Sequence, residues 1–80
     1  MFNFCEDEII NFHNNIALNV KKYRKQKNMT QLDLALNLNF ENSSFISHVE
    51  NKKYPKYNYS NTHLYKISEI LDIDICEFFK

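Results

Sequence analysis

Small polar side chains recur at helical spacing near the middle of the chain. The residues that share this predicted helix face are Asn42, Ser43, Ser44, Ser47 and His48. Ile46 and Val49 fall on the opposite face, so the segment has one polar side and one apolar side. Hydroxyl, amide and imidazole groups can pair with the base edges exposed in the major groove of DNA. The alternative is an ordinary solvated helix face on which Ser43 acts only as a cap.

A basic and aromatic segment follows this polar face. Its members suited to phosphate are Asn51, Lys52, Lys53, Tyr54 and Lys56. Lysine ammonium groups and tyrosine hydroxyls both contact DNA phosphates, so the segment predicts a loop along the DNA backbone. In the alternative interpretation the tyrosines pack under the next helix and the lysines are merely solvated.

The charges are segregated although the formal net charge is zero. Residues 1–20 carry three acidic and no Lys or Arg side chains, residues 21–56 carry eight basic and three acidic ones, and residues 57–80 carry two basic and four acidic ones. The middle of the chain, at +5, is therefore a basic block between acidic ends. Such a block can create a local positive field that attracts phosphate.

Other chemistry has little support in the residues. Cys5 and Cys76 lack metal-ligand spacing and are expected to be reduced thiols. His13 and His63 have no Cys or His partner at ligand spacing, so we expect no metal site. No Ser/His/Asp constellation, paired carboxylate pocket or phosphate-cradling glycine loop is apparent, so we expect no cofactor and no enzymatic activity. No apolar run could span a bilayer and no signal-peptide pattern opens the chain, which predicts a cytoplasmic protein.

The positions that carry this chemistry lie in a predicted helical framework. One apolar helix face is formed by Ile9, Phe12, Ile16, Val20 and Tyr23. The sequence leaves open whether Asn14 and Asn15 divide this segment into two helices. The segment should end near Lys27, with Asn28 as a left-handed cap.

Capping residues predict the remaining helices. Thr30 would begin the second helix, Asn42 the third, which runs to about Asn51, and Ser60 the fourth. Asp74 would cap a last turn or helix that ends at Phe79. The absence of glycine and the single proline argue against tight β-hairpins. We therefore predict one all-α domain over residues 1–80, built as a compact five-helix fold.

Several segments together resemble the Cro/repressor type of helix-turn-helix domain, the XRE family. They are residues 16–31 (IALNVKKYRKQKNMTQ), Leu34-Ala35, residues 45–50 (FISHVE) and residues 64–71. The similarity covers roughly residues 14–79 and implies a lambda-repressor-like fold with helices 2 and 3 as the helix-turn-helix, over residues 30–51. Residues 1–13 would then be an amino-terminal extension. The small size and aromatic carboxyl end resemble phage repressors and controller proteins of restriction-modification systems.

The resemblance implies roles for three further residues. Gln31, at the start of helix 2, would bond a DNA phosphate. Arg24 and Glu50 match a pair that links helix 1 to the end of helix 3 and orients the Arg24 guanidinium toward a phosphate. The chain departs from the family because Asn39 stands where glycine is common, and because the turn before helix 3 and the loop after Glu50 are longer. These departures leave open which residues of helix 3, the reading helix that would enter the major groove, face the DNA bases.

The carboxyl-terminal helices, over residues 60–79, carry more apolar side chains than they need. We expect Ile73, Ile75, Phe78 and Phe79 to form a homodimer interface. Alternatively, Phe2, Phe4, Ile9 and Ile10 cover them within one chain. The sequence thus predicts a transcription regulator that binds a palindromic site in double-stranded DNA as a homodimer. The alternative is a protein-interaction module on the same fold, such as an antitoxin or anti-repressor.

Overall fold

A computed structural model describes all 80 residues, and every regular element in it is helical. The α-helices are α1 (Glu6–Gln26), α2 (Gln31–Asn37), α3 (Ser44–Val49) and α4 (Asn61–Leu71). A 3₁₀ helix (Ile75–Phe79) follows. The all-α prediction is therefore confirmed, but the prediction of five helices is wrong: there are four α-helices, and the last element is a five-residue 3₁₀ helix.

α1 is one continuous helix rather than two. It runs for 21 residues straight through Asn14 and Asn15, which gives a rod about 31 Å long. Its first turn carries Glu6, Asp7 and Glu8, and its last turn carries basic residues, as the helix dipole favours.

Three helices end at a residue with left-handed backbone. Asn28, Asn39 and Asp72 have φ values of 57°, 65° and 53°. After each of them the chain bonds back in the same way; for example, Phe40 N–H donates to Ala35 O at 2.9 Å and Asn39 N–H donates to Leu36 O at 3.0 Å. This is the hydrogen-bond pattern of a Schellman motif. The prediction that Asn28 is a left-handed cap is confirmed, and Asn39 adopts the left-handed backbone that glycine commonly provides.

Replacing Asn39 by glycine is expected to raise the free energy of unfolding by about 0.5 kcal/mol, because glycine has no Cβ to strain the left-handed backbone. Asn37 provides the matched control. It is the last residue of α2, and its side chain donates to Asp33 O at 2.8 Å, so glycine should instead cost about 0.5–1 kcal/mol there. Urea unfolding of the two variants measures the contrast, and equal losses in both would contradict this role of Asn39.

The predicted amino-terminal caps of α2, α4 and the last element are confirmed. Thr30 Oγ1 accepts from Asp33 N–H while Asp33 Oδ2 accepts from Thr30 N–H. Hydrogen bonding of the Asp33 carboxyl to the Thr30 backbone, and then to its side chain, lowers the pKa of that carboxyl. Ser60 and His63 form the same reciprocal box at α4, with His63 Nδ1 as an acceptor. Burial, followed by the charge of nearby Lys66, lowers the pKa of His63, which favours the neutral imidazole that this acceptor role requires.

The core lies where α1, α2, α3, α4 and the 3₁₀ helix meet. Its buried apolar residues are Ile16, Ala17, Val20, Leu34, Ala35, Leu38, Ile46, Val49, Tyr59, Leu64, Ile67, Leu71 and Phe78. Leu34 and Ile46 are fully buried, so the facing sides of α2 and α3 are fixed by the same core.

Side chains of α1 tie the 3₁₀ helix to the body. Asn19 Nδ2 donates to Phe78 O at 3.0 Å, and the Tyr23 hydroxyl donates to Glu77 Oε1 at 3.0 Å. Phe78 has no exposed surface, and its ring centroid lies 6.2 Å from that of Tyr23. Placing Phe78 in a dimer interface was therefore wrong, because the residue is part of the core of its own chain.

The other residues predicted for the dimer interface are only partly available. Ile73 and Ile75 are half-buried and pack against the core, whereas Phe79 is exposed. Phe2 and Phe4 do not cover this region, because both are largely exposed. The apolar side of α1 also extends beyond the core, where Ile9 and Phe12 remain open to solvent.

Candidate nucleic-acid interface

Asn42, which lies two residues before α3, bonds to the first residue of this helix. The Oδ1 atom of Asn42 accepts a hydrogen bond from Ser44 N–H at 2.9 Å. The prediction that Asn42 takes the capping position was wrong by one residue, because Ser43 takes it, without a side-chain bond. The helix then runs only to Val49, and Asn51 lies in the following turn. The bond at Asn42 occupies its carbonyl oxygen and leaves its amide hydrogens for other partners.

α3 presents a polar strip to solvent and an apolar side to the core. Ser44 and Ser47 are exposed and Ser43 is half-buried, whereas Ile46 and Val49 are buried. The anchored apolar side fixes the direction in which the serine hydroxyls point. The hydroxyls are therefore held at the surface by a buried helix face rather than by a loop.

His48 is held between two tyrosine rings. Its ring stacks on Tyr57 with a centroid separation of 4.6 Å and an interplanar angle of 26°. The edge of Tyr54 meets it at 4.4 Å and 79°. These contacts leave His48 half-buried and join the end of α3 to the loop that follows it.

The sequence left open whether the tyrosines of the loop after α3 face DNA or pack inside the protein, and the structure shows some in each environment. Tyr59 is buried in the core, as in the packing alternative, whereas Tyr54 and Tyr57 are 41% and 43% exposed. Lys52, Lys53 and Lys56 are exposed. Asn51 Oδ1 accepts from Lys53 N–H at 3.0 Å, which turns the chain directly after α3. The loop thus exposes three lysines shortly after α3 in the chain, and two of its phenol rings lie against His48 of the polar strip.

Phe45 lies under the turn rather than on the polar strip. Its ring centroid is 5.3 Å from that of Phe40, 5.2 Å from that of His63 and 6.0 Å from that of Tyr59. This aromatic cluster fills the space between the start of α3 and the start of α4. The cluster includes Phe40 of the turn before α3 and so supports that turn.

Arg24, Glu50 and Gln31 form one hydrogen-bonded network. Arg24 Nε and Nη2 donate to the two carboxylate oxygens of Glu50, each at 2.9 Å. The Arg24 and Glu50 side chains are 6% and 3% exposed. Gln31 Nε2 donates to Glu50 Oε1 at 3.0 Å. The network links the end of α1, the start of α2 and the residue that ends α3.

Arg24 is a structural residue in this arrangement. Its third nitrogen, Nη1, donates to Met29 O at 2.7 Å, so each guanidinium nitrogen has a partner inside the protein. The expectation that Arg24 itself contacts a phosphate is therefore contradicted by its burial. Gln31 is half-buried, and its amide retains one hydrogen beyond the bond to Glu50.

Sequence reasoning overlooked the buried hydroxyl of Tyr59. This oxygen has no hydrogen-bond partner. Burial raises the pKa of Tyr59 well above its ordinary value, and the Glu50 carboxylate raises it further. A signal was present in the sequence, since one short loop contains three tyrosines, but nothing local distinguishes the buried one from the two that contact His48.

A Tyr59→Phe variant is expected to be as stable as the parent or more stable by about 1 kcal/mol, because it removes an unpaired buried hydroxyl. The pKa of Tyr59 is raised in the folded state, so the folded chain holds this proton more tightly than the unfolded chain does. Ionisation of Tyr59 therefore leaves the free energy of unfolding unchanged below about pH 10 and lowers it above that pH. The parent should therefore lose more stability than the variant between neutral pH and about pH 11. Tyr65→Phe, at an exposed position, is the control. A clear loss of stability in Tyr59→Phe at neutral pH would contradict the unpaired hydroxyl.

No cluster of three or more His, Cys, Asp or Glu side chains is arranged to hold a metal ion. None of the helices combines the length and apolar character needed to cross a membrane.

Comparison with known proteins agrees with this geometry. A family profile described as a helix-turn-helix domain matches residues 18–80. The match includes α2, α3 and the loop after them, and it leaves the first half of α1 outside. No curated protein and no solved structure matches the chain.

Proposed function

The chain belongs to the XRE-type helix-turn-helix domain family, and on that premise we propose that it is a sequence-specific regulator of transcription that binds double-stranded DNA as a homodimer. α3 is the reading helix. The observation that carries the proposal is the exposed polar strip of α3, which is held by a buried apolar side and flanked by three exposed lysines.

The base contacts are assigned to the strip and its start. They are Asn42, Ser43, Ser44, Ser47 and His48. A single hydroxyl both donates and accepts, so serines alone discriminate bases weakly. The stacked His48 imidazole adds a polar group of fixed orientation to the end of the strip.

The phosphate contacts are assigned to the residues around the strip. They are Gln31, Asn51, Lys52, Lys53, Tyr54 and Lys56. In this assignment Arg24 acts through Glu50 and Gln31, because its guanidinium is bonded internally. The Arg24–Glu50 pair positions Gln31 and the end of α3 relative to the DNA backbone.

Binding to a random pool of duplexes, followed by sequencing of the enriched fraction, tests the proposal. The enriched duplex and a scrambled duplex are then titrated by fluorescence anisotropy at two salt concentrations. We expect the enriched duplex to bind about 10³-fold more tightly or better, and the affinity to fall steeply with salt because lysines displace counterions from phosphate. Equal affinity for both duplexes would reject sequence-specific reading, and absence of any salt dependence would reject phosphate binding.

A protein-interaction module is the second candidate function. The exposed aromatic side chains at the amino-terminal end, such as Phe2, Phe4 and Phe12, favour it. The same selection distinguishes the two functions, because an interaction module without DNA binding would enrich no duplex.

A further inference from the structure

Tyr57 connects the end of α3 to the aromatic cluster beneath this helix. Its ring centroid lies 4.6 Å from that of His48 and 6.3 Å from that of Phe45. Phe45 belongs to the cluster between the starts of α3 and α4, where it contacts the buried Tyr59 at 6.0 Å. Tyr57 therefore links the imidazole of His48 to a part of the chain that the core holds in place.

The rings of His48, Tyr54 and Tyr57 contact one another. Tyr54 lies 4.4 Å from His48 and 5.8 Å from Tyr57, measured between ring centroids. Stacked and edge-on aromatic pairs at such separations are favourable beyond the area that they bury. His48 nevertheless remains half-buried rather than buried. The two tyrosines thus restrict the rotation of the imidazole while part of it still faces solvent.

The backbone of the loop fixes the position of these tyrosines. Two turns follow α3 in succession, because Tyr54 N–H donates to Asn51 O and Tyr57 N–H donates to Tyr54 O, each at 3.0 Å. Pro55 takes the second position of the latter turn, where its fixed φ favours the turn geometry. The Tyr57 ring is therefore placed by its own backbone as well as by the rings around it.

A side chain that distinguishes bases must be held in one orientation. Hydrogen bonds weaken steeply when donor and acceptor are misaligned, and the two ring nitrogens of a histidine lie at different places on the ring. A rotated imidazole would therefore present a different pattern to the edge of a base pair. The serine hydroxyls of α3 rotate freely and discriminate weakly, so discrimination by this strip depends on the orientation of His48.

From these observations we propose that Tyr57 is the positioning residue for His48 and thereby determines the base preference at the position that His48 reads. The inference rests on the proposed function, because it assigns one determinant of its sequence specificity. Tyr57 acts through the stacked face of its ring, which holds the imidazole in one orientation. Its hydroxyl has no part in this role.

Titration of variants with matched duplexes tests the role of Tyr57. The duplexes carry each of the four bases in turn at the position where His48→Ala loses its preference. We expect the parent to prefer one base there by about tenfold or more. Tyr57→Ala should bring the four bases to nearly equal affinity and leave the preferences at other positions unchanged. Tyr57→Phe should retain the preference, because it keeps the stacked ring.

Tyr65→Ala is the matched control for Tyr57→Ala. It also removes an exposed tyrosine ring, since Tyr65 is 61% and Tyr57 43% exposed, but it does so on α4. The base preference should be unchanged in this variant. Circular dichroism of both variants should match that of the parent, because neither ring is part of the buried core.

Proton NMR of the free protein tests the contact itself without DNA. The His48 ring protons lie against the face of the Tyr57 ring, whose ring current moves their resonances upfield. In Tyr57→Ala these resonances should move downfield, whereas in Tyr57→Phe they should stay near their parent positions. Unchanged His48 resonances in Tyr57→Ala would overturn the inference, because the stack would then be absent in solution.

The outcomes of the titrations separate this inference from the proposed function. An unaltered base preference in Tyr57→Ala, or a uniform loss of affinity at all positions, would overturn the inference and leave sequence-specific binding intact. Loss of the preference in Tyr57→Phe would also overturn it, because the hydroxyl rather than the stacked ring would then be responsible. A parent that enriches no duplex would reject the proposed function and, with it, this role of Tyr57.

Discussion

Replacing Glu50 by glutamine is expected to lower the free energy of unfolding by about 3–5 kcal/mol, because the change leaves the Arg24 charge buried without its counter-charge. The two side chains are almost inaccessible to water and are joined by two hydrogen bonds of 2.9 Å. A loss of this size is a large fraction of the stability of a small domain. Chemical denaturation followed by circular dichroism measures it.

A double variant keeps this prediction testable if Glu50→Gln does not fold. In the double replacement Arg24→Met and Glu50→Leu, no charge remains buried, so stability should recover much of what the single change loses. Glu69→Gln on the exposed side of α4 is the control and should be close to neutral. If Glu50→Gln unfolds like the parent, the pair does not anchor α1 to the end of α3.

Introducing a carboxylate on the reading face is expected to weaken binding to the enriched duplex by about 100-fold or more, which corresponds to about 2.7 kcal/mol. Ser47→Glu puts this charge at an exposed position in the middle of α3, where it would face base edges and phosphates. The fold should be unaffected because Ser47 packs on nothing in the core. Fluorescence anisotropy with the enriched duplex measures the loss.

Thr62→Glu serves as the control for Ser47→Glu. It adds the same charge at an exposed position in the first turn of α4, so both variants have the same net charge. Affinity for the enriched duplex should change little in Thr62→Glu. Equal loss in the two variants would mean that net charge, rather than the position of α3, controls binding.

Local chemistry made much of the fold predictable. A cap depends on a few neighbouring atoms, so Thr30, Ser60 and Asp74 could be recognised from the sequence alone. The same holds for Asn28, because few residues other than glycine tolerate a left-handed backbone. Hydrophobic periodicity likewise predicted that the apolar sides of the helices form one core.

Features that depend on distant partners were not predictable. Periodicity predicted that Ile9 and Phe12 share a helix face with Val20. It could not predict that the other helices bury Val20 and leave Ile9 and Phe12 exposed. Phe78 and Phe79 are adjacent and equally apolar, and only the path of the 3₁₀ helix buries one and exposes the other. The family resemblance predicted that Arg24 pairs with Glu50, but it did not predict that a further bond to Met29 O would hold the guanidinium inside the protein.

The candidate site shows the same division. A solvent-facing strip on α3 follows from helix geometry once Ile46 and Val49 are buried. The stacking of His48 on Tyr57 does not follow, since it depends on how the loop after α3 returns to the helix. The path of this loop is set by Tyr59, which is buried in the core.

Mapping of backbone amide chemical shifts in the presence of the enriched duplex tests the central claim most directly, because it locates the bound surface without any substitution. The account predicts that the largest changes fall on Gln31 and on residues 42–54. This range includes α3 and the start of the loop that carries Lys52, Lys53 and Lys56. The exposed side of α4, represented by Thr62, Tyr65 and Glu69, should remain unchanged. Changes concentrated on α4 or on the first half of α1, with α3 unaffected, would contradict the assignment of α3 as the reading helix.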